Sequence, residues 1–303
     1  MEHFSSVQEF HHYMKWPPPE HPMFGMISME TAENTHRESS EPITTDCYII
    51  SLKYVVAGTM AYGRTKIDFT RGSLLFYAPR QSMQWTDVEL EKKGFVINVH
   101  EEYLRGHELA EKIKNYGFFS YTVNEALHLS PKEEAIITSI YKNLELEYNA
   151  NPDEHSKEII LSLLETLFKY AERFYKRQFI GRKEMQSGLS QRFKEVLVKY
   201  FENRKINELG SPNIDWVAKQ LAVSPRYLSD SLKVESGKTA IEHIHLYLID
   251  VAKNLLLEPR MNVSSVAYQL GFEYPQYFSR LFKKKVGVSP ATFRENHMPK
   301  HFG

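Results

Sequence analysis

The sequence predicts a multidomain α+β protein: an N-terminal β-barrel with a helical hairpin, then an all-α domain of two helix-turn-helix units joined by a long helix. Three observations carry this. Residues 43–100 hold short runs of branched and aromatic residues cut by Gly, Pro and charged turns. Beyond residue 131 the apolar residues recur at helical spacing. Part of the C-terminal region is written twice.

The strand runs are "ITTDCYIISLKYVVAG", "TKIDF", "GSLLFYAP" and "KGFVINV". Short strands at this spacing predict a sandwich or small barrel, assigned to residues 1–125. Ile136, Ile137, Ile140, Tyr141 and Leu144 then mark one helix, and "NPDE" at 151–154 breaks it. Ile159, Ile160, Leu163, Leu164, Leu167, Phe168, Ala171 and Phe174 mark a second, and residues 126–181 are assigned to the resulting antiparallel hairpin. Its wide apolar stripes either pack on the barrel or pair with a second copy of the chain in a homodimer. "RKEMQSG" at 182–188, polar with a glycine, is assigned as the linker, and residues 189–303 as the helical domain.

Composition bounds the function. A chain of 303 residues predicts two domains, and 42% hydrophobic with 25% charged residues describes an ordinary folded protein. The single cysteine, Cys47, forms no internal disulfide, and no paired cysteines mark a structural zinc, so a reducing cytoplasm is expected. The opening "MEHFSSVQEFHHYMKW" has neither a basic start nor an apolar run, and nowhere do eighteen apolar residues stand together. The protein is therefore expected to be neither exported nor membrane-spanning. The net charge of zero hides a split: 19 Lys and Arg against 12 Asp and Glu follow from Arg182 on, leaving 19 and 26 before it. A basic C-terminal half points to a polyanionic partner.

The duplication aligns Asn213 with Asn262, Val217 with Val266, Ala218 with Ala267, Gln220 with Gln269 and Leu221 with Leu270, all at an offset of 49. Tyr227, Ser229, Lys233 and Gly237 match Tyr277, Ser279, Lys283 and Gly287 at an offset of 50. One extra residue inside a helix would rotate every later side chain by about 100°, so it falls in the turn, "AVSP" in the first copy and "GFEYP" in the second. Asn213 and Asn262 suit helix N-caps, Ala218 and Ala267 let a second helix cross closely, and Ser224 before Pro225 starts a new helix. Leu228 with Leu232, and Phe278 with Phe282, then face inward. Arg226, Ser229, Asp230 and Lys233 face outward, as do Gln276, Ser279, Arg280 and Lys283. A helical bundle of duplicated hairpins has the same apolar pattern; the two basic, polar outer faces favour paired helix-turn-helix units. Between the copies, "AIEHIHLYLIDVAKNLLL" at 240–257 predicts a helix with Ile241, Ile244, Leu248, Val251 and Leu255 on one face, stopped by Pro259. At ~1.5 Å per residue this rod is about 27 Å long, close to the ~34 Å between successive major grooves on one face of DNA.

At this point "VSSVAYQLGFEYPQYFSRLFKKKVGVSPATFR", residues 263–294, resembles the C-terminal signature of the AraC family of bacterial transcription regulators. The resemblance covers about residues 189–296. In the first unit "SDSLK" stands where many members have "SRLFK", and Leu248 stands where many have an arginine. The resemblance implies a double-stranded promoter DNA partner, an approach to RNA polymerase, and base-reading positions at Arg226, Ser229, Asp230, Gln276, Ser279 and Arg280. Arg280 suits a bidentate contact to guanine and Gln276 one to adenine. Lys233, Lys283, Lys284 and Lys285 suit phosphate. Asp230 either accepts from a cytosine amino group or pairs with a neighbouring Arg or Lys.

Residues 55–85 resemble, more distantly, the cupin-like sensor barrel of the same family, which implies a domain that either binds a small-molecule effector or only supports the dimer; Tyr77, Met83 and Trp85 are its candidate pocket residues and equally good core. No histidine lies between residues 43 and 99, so a metal-dependent cupin enzyme is not expected. His243 and His245 point to different faces of a helix, and His11 and His12 read as surface residues. Cys47 sits in a strand with no adjacent base, and no phosphate-cradling loop or nucleophile motif is present. The expectation is a regulator, not an enzyme, with no catalytic residue, metal or cofactor.

Overall fold

The computed structural model describes residues 2–31, 36–37, 40–61, 72–121, 125–185, 189–203, 205–258 and 261–297. Two units are formed, Met1–Phe179 and Ile180–Gly303.

In the first unit, strands β1 (Glu2–Phe4), β2 (Phe24–Ser28), β3 (His36–Arg37), β4 (Ile43–Thr45), β5 (Cys47–Lys53), β6 (Val55–Ala61), β7 (Ser73–Tyr77), β8 (Gln84–Leu90), β9 (Phe95–His100) and β10 (Leu127–His128) form three sheets. Their orders are β10-β7-β5-β9-β2, β3-β8-β6 and β1-β4. The closed, cupin-like barrel expected from the sequence is not formed by the described residues. Among the described residues the two strands on either side of Tyr54 part company: β5 pairs with β7 and β9, and β6 pairs with β8. The expected strand "TKIDF" lies outside the described residues.

Residues of the two larger sheets share one core that includes Ile27, Ile49, Leu75, Val88 and Val96. Helix α1 (Val7–Tyr13) closes part of it with Phe10. This helix also corrects the reading of His11 as a surface residue. His11 is 1% exposed, because it shares the inward stripe of Val7, Phe10 and Met14. Its Nδ1 lies 2.8 Å from the Pro17 carbonyl, which only accepts, so Nδ1 carries the proton and Nε2 accepts from the Asn98 amide at 3.1 Å.

After the short α2 (Leu109–Lys112) come α3 (Pro131–Tyr148) and α4 (Ser156–Met185). Ser130 and Glu133 cap α3 reciprocally. Arg177, late in α4, donates to Glu133 in the first turn of α3 at 2.7 Å, so the two helices run antiparallel. Tyr141 of α3 stacks on Phe95 of β9 at 4.2 Å, and Phe168 of α4 meets Phe76 of β7 edge-on at 6.4 Å. Of the two roles open to the hairpin's apolar stripes, packing on the sheet is therefore the one seen. Ile159, expected inside, is 41% exposed, and Leu161 takes a buried place. Helix α4 runs on through residues 182–185, the first part of the stretch assigned as linker; residues 186–188 lie outside the described ones.

The second unit is helical: α5 (Leu189–Glu202), α6 (Lys205–Leu209), α7 (Ile214–Leu221), α8 (Pro225–Ser236), α9 (Ala240–Leu256), α10 (Val263–Gln269), α11 (Pro275–Val286) and α12 (Pro290–His297). One core runs through it, built on Leu228, Leu232, Phe278 and Phe282 from the two copies and Ile244 and Leu248 from α9. Because α9 packs against both copies, its buried face is wider than one stripe: Ala240, Ile249, Ala252 and Leu256 are also buried. Ile241 departs from expectation at 43% exposed. Leu248 is buried, at 2% exposed. Pro259 lies outside the described residues.

Candidate nucleic-acid interface

Each copy is assembled by its own caps. Asn213 accepts from the Trp216 N–H at 2.9 Å and Asn262 from the Ser265 N–H at 2.8 Å, which starts α7 and α10. Ala218 and Ala267 are fully buried where the second helix crosses. The chain then turns through a left-handed residue, Ala222 at φ 57° in the first copy and Gly271 at φ 74° in the second. Ser224 caps α8, accepting from the Tyr227 N–H at 3.2 Å.

On α8 and α11 the outward residues stand largely where the pattern put them. Arg226 and Lys233 are exposed, and Ser229 and Asp230 half-buried. Gln276, Arg280, Lys283, Lys284 and Lys285 are exposed, and Ser279 is half-buried. With inward Phe278 and Phe282 at the back, Arg280 points outward at the middle of α11, and Gln276 and Lys283 lie along the same side one turn away. The two faces differ electrostatically. Arg226 Nε donates to Asp230 Oδ2 at 2.9 Å, so the first copy's cation is engaged by a carboxylate on its own helix. Among the described residues no ion pair ties Arg280 or the three lysines, and those lysines occupy the last turn of α11, where the helix dipole favours positive charge. Burial, then Lys285 and Lys284, hold the His245 imidazole below its ordinary pKa.

A second tie besides α9 fixes the copies relative to each other. Ser211, just before α7, donates its hydroxyl to the Leu270 carbonyl at 2.6 Å and its N–H to the Gly271 carbonyl at 3.2 Å. Tyr200 donates to the Gly210 carbonyl at 2.8 Å, holding that segment from α5. The entry to the first copy is thus bonded to the turn of the second. Sequence patterning had no means of finding this contact, since its acceptors are backbone carbonyls.

In the first unit Tyr77, Met83 and Trp85 line one cavity, together with Trp16, Met29 and Lys53. The cavity volume is about 40 Å³. Tyr77 and Met83 are also members of the core, and Trp85 packs against it. Cys47 is buried, and burial pushes its thiol up to about 11, far from a thiolate nucleophile. Among the described residues no three or more His, Cys, Asp or Glu side chains are grouped to hold a metal ion, and no helix is long and apolar enough to cross a membrane.

Comparison with known proteins matches residues 217–296 to the family described as "Helix-turn-helix domain". An uncharacterised HTH-type transcriptional regulator from Pseudoalteromonas carrageenovora is 36% identical over 31% of this chain and 54% of its own length. The HTH-type transcriptional activator RhaS of Escherichia coli is 30% identical over 33% of this chain and 35% of its own. The arabinose operon regulatory protein of Salmonella typhimurium is 37% identical over 26% of this chain and 28% of its own. The chain therefore spans about half the length of the first of these relatives and less of the other two. Matched residues, duplicated caps and outward basic helices agree on one assignment: the C-terminal region of this chain is a double helix-turn-helix domain of the AraC type.

Proposed function

We propose that the protein is a sequence-specific, double-stranded DNA-binding transcription regulator, its second unit reading promoter DNA and its first unit sensing a small molecule. The observation that carries this reading is the pair of outward helices, α8 and α11, held by one core on α9 and tied by Ser211. The 17 residues of α9 make a rod of about 26 Å, near the ~34 Å groove repeat, which lets α8 and α11 enter successive major grooves on one face.

Arg280 reads guanine and Gln276 adenine, each pair worth roughly 1–3 kcal/mol of discrimination, with Ser279 beside them. Lys233, Lys283, Lys284 and Lys285 hold phosphates and supply affinity without sequence information. Arg226, Ser229 and Asp230 form the weaker reading face, because Asp230 draws off Arg226 and repels phosphate. The effector enters the cavity walled by Tyr77, Met83 and Trp85, and the mode of regulation follows from where the bound site lies relative to RNA polymerase. Exposed Leu146 and Ile159 on the hairpin support a homodimer. The protein acts in the cytoplasm, on DNA and not on a membrane.

Selection of bound fragments from the source genome with purified protein tests the reading. Enrichment of a few promoters is expected; recovery of fragments in proportion to their length alone would refute sequence-specific binding.

A further inference from the structure

The two copies differ at a pair of aromatic positions in a way that core packing does not require. Tyr227 in α8 is 2% exposed, whereas its counterpart Tyr277 in α11 is 56% exposed. Ser224 caps α8 with its hydroxyl; the residue at the matching N-cap of α11 is Tyr274, which makes no side-chain cap and is 48% exposed. The second copy thus leaves a capping position to a side chain that does not cap, and turns two large rings to solvent. The rings are not independent: Tyr274 and Tyr277 meet edge to face, centroids 5.8 Å apart and planes at 80°, so each limits the other's rotation. They stand at the first turn of α11, the end of a recognition helix that meets DNA.

Helical geometry places Tyr277 about 60° round from Arg280, on the flank opposite Gln276, with Lys284 two turns along the same stripe. A hydroxyphenyl is a neutral donor that suits a phosphate oxygen, and its two side-chain torsions make it cheap to order. Resting on the DNA reading above, we infer that Tyr274 and Tyr277 form a neutral clamp on duplex DNA, donating their hydroxyls to phosphates of the strand beside the bases met by Gln276 and Arg280. The clamp sets the register of α11 in the groove without adding charge.

Neutral and cationic phosphate contacts separate in a salt titration, because only the cation releases a counterion. The probe is the duplex that the wild-type protein enriches from a random-sequence pool. Tyr274→Phe with Tyr277→Phe keeps both rings and removes both hydroxyls. About fivefold to thirtyfold weaker binding is expected at every salt concentration, with the slope of log affinity on log salt unchanged. Lys284→Ala, as the contrast, flattens that slope by about one. Wild-type affinity in the double Phe variant overturns the clamp while leaving the DNA reading intact, as does a loss that comes with a flattened slope. Failure of the wild-type protein to enrich any duplex overturns both.

Discussion

Arg226 and Asp230 are paired across one turn of α8, Nε to Oδ2 at 2.9 Å, with side chains 52% and 28% exposed. At that exposure an i,i+4 ion pair is worth only about 0.3–0.5 kcal/mol to the fold. Its larger consequence is for the surface, since it occupies the one arginine of the first copy's outward face on α8. Asp230→Asn therefore changes stability by less than about 0.5 kcal/mol in urea unfolding, yet tightens duplex binding severalfold and steepens the salt slope. An unchanged affinity in the variant would show that α8 does not approach phosphate.

The turns of the two copies respond oppositely to the same exchange. A Cβ on Gly271 would stand 2.4 Å from the Ser211 nitrogen and 2.5 Å from the Gly210 carbonyl carbon, at a φ of +74°. Gly271→Ala should cost more than about 2 kcal/mol, measured by chemical denaturation, by combining a clash with left-handed strain. Ala222 already endures φ 57°, so Ala222→Gly relieves strain and is expected to be neutral or stabilising by up to about 1 kcal/mol. Equal destabilisation by both variants would mean the turns are not what distinguishes the copies.

Acid should weaken the first unit before its carboxylates titrate. Burial holds the His11 imidazole below its ordinary value of 6.5, so the unfolded chain takes up the proton first. This contribution to stability is complete above about pH 6.5 and is lost as pH falls toward the depressed folded value. His21, lowered by burial and by Lys157, acts in the same direction. Unfolding free energy is expected to fall between pH 7.5 and 5.5, and less steeply in His11→Gln, whatever that variant's absolute stability. Identical pH dependence in the two proteins would remove His11 from the explanation.

The helical region was legible because it is duplicated: two copies of one pattern fix the caps, the turn and the inward positions, and the family comparison agrees with that assignment. The sheets were less so. Strand β2 pairs with β9 some seventy residues away, and such long-range pairing leaves no local mark in "FGMIS". The division at Tyr54 is likewise a property of strand partners and not of either strand's own residues. His11 could have been found: Val7, Phe10, His11 and Met14 fall at i, i+3, i+4 and i+7, a helical stripe obscured by its polar neighbours Glu9 and His12. Tyr227 and Tyr277, identical in sequence, are buried and exposed respectively, and no alignment of the copies distinguishes them.

Binding of wild-type, Arg280→Ala and Lys284→Ala proteins to a selected duplex and to a scrambled duplex of equal length, across a salt series, tests the reading of DNA by α11 most directly. Arg280→Ala is expected to lose roughly 1–3 kcal/mol of preference for the selected duplex while keeping most affinity for the scrambled one. Lys284→Ala is expected to weaken both about equally and to flatten the salt slope by about one. Equal losses on the two duplexes for Arg280→Ala would contradict its assignment as a base-reading residue.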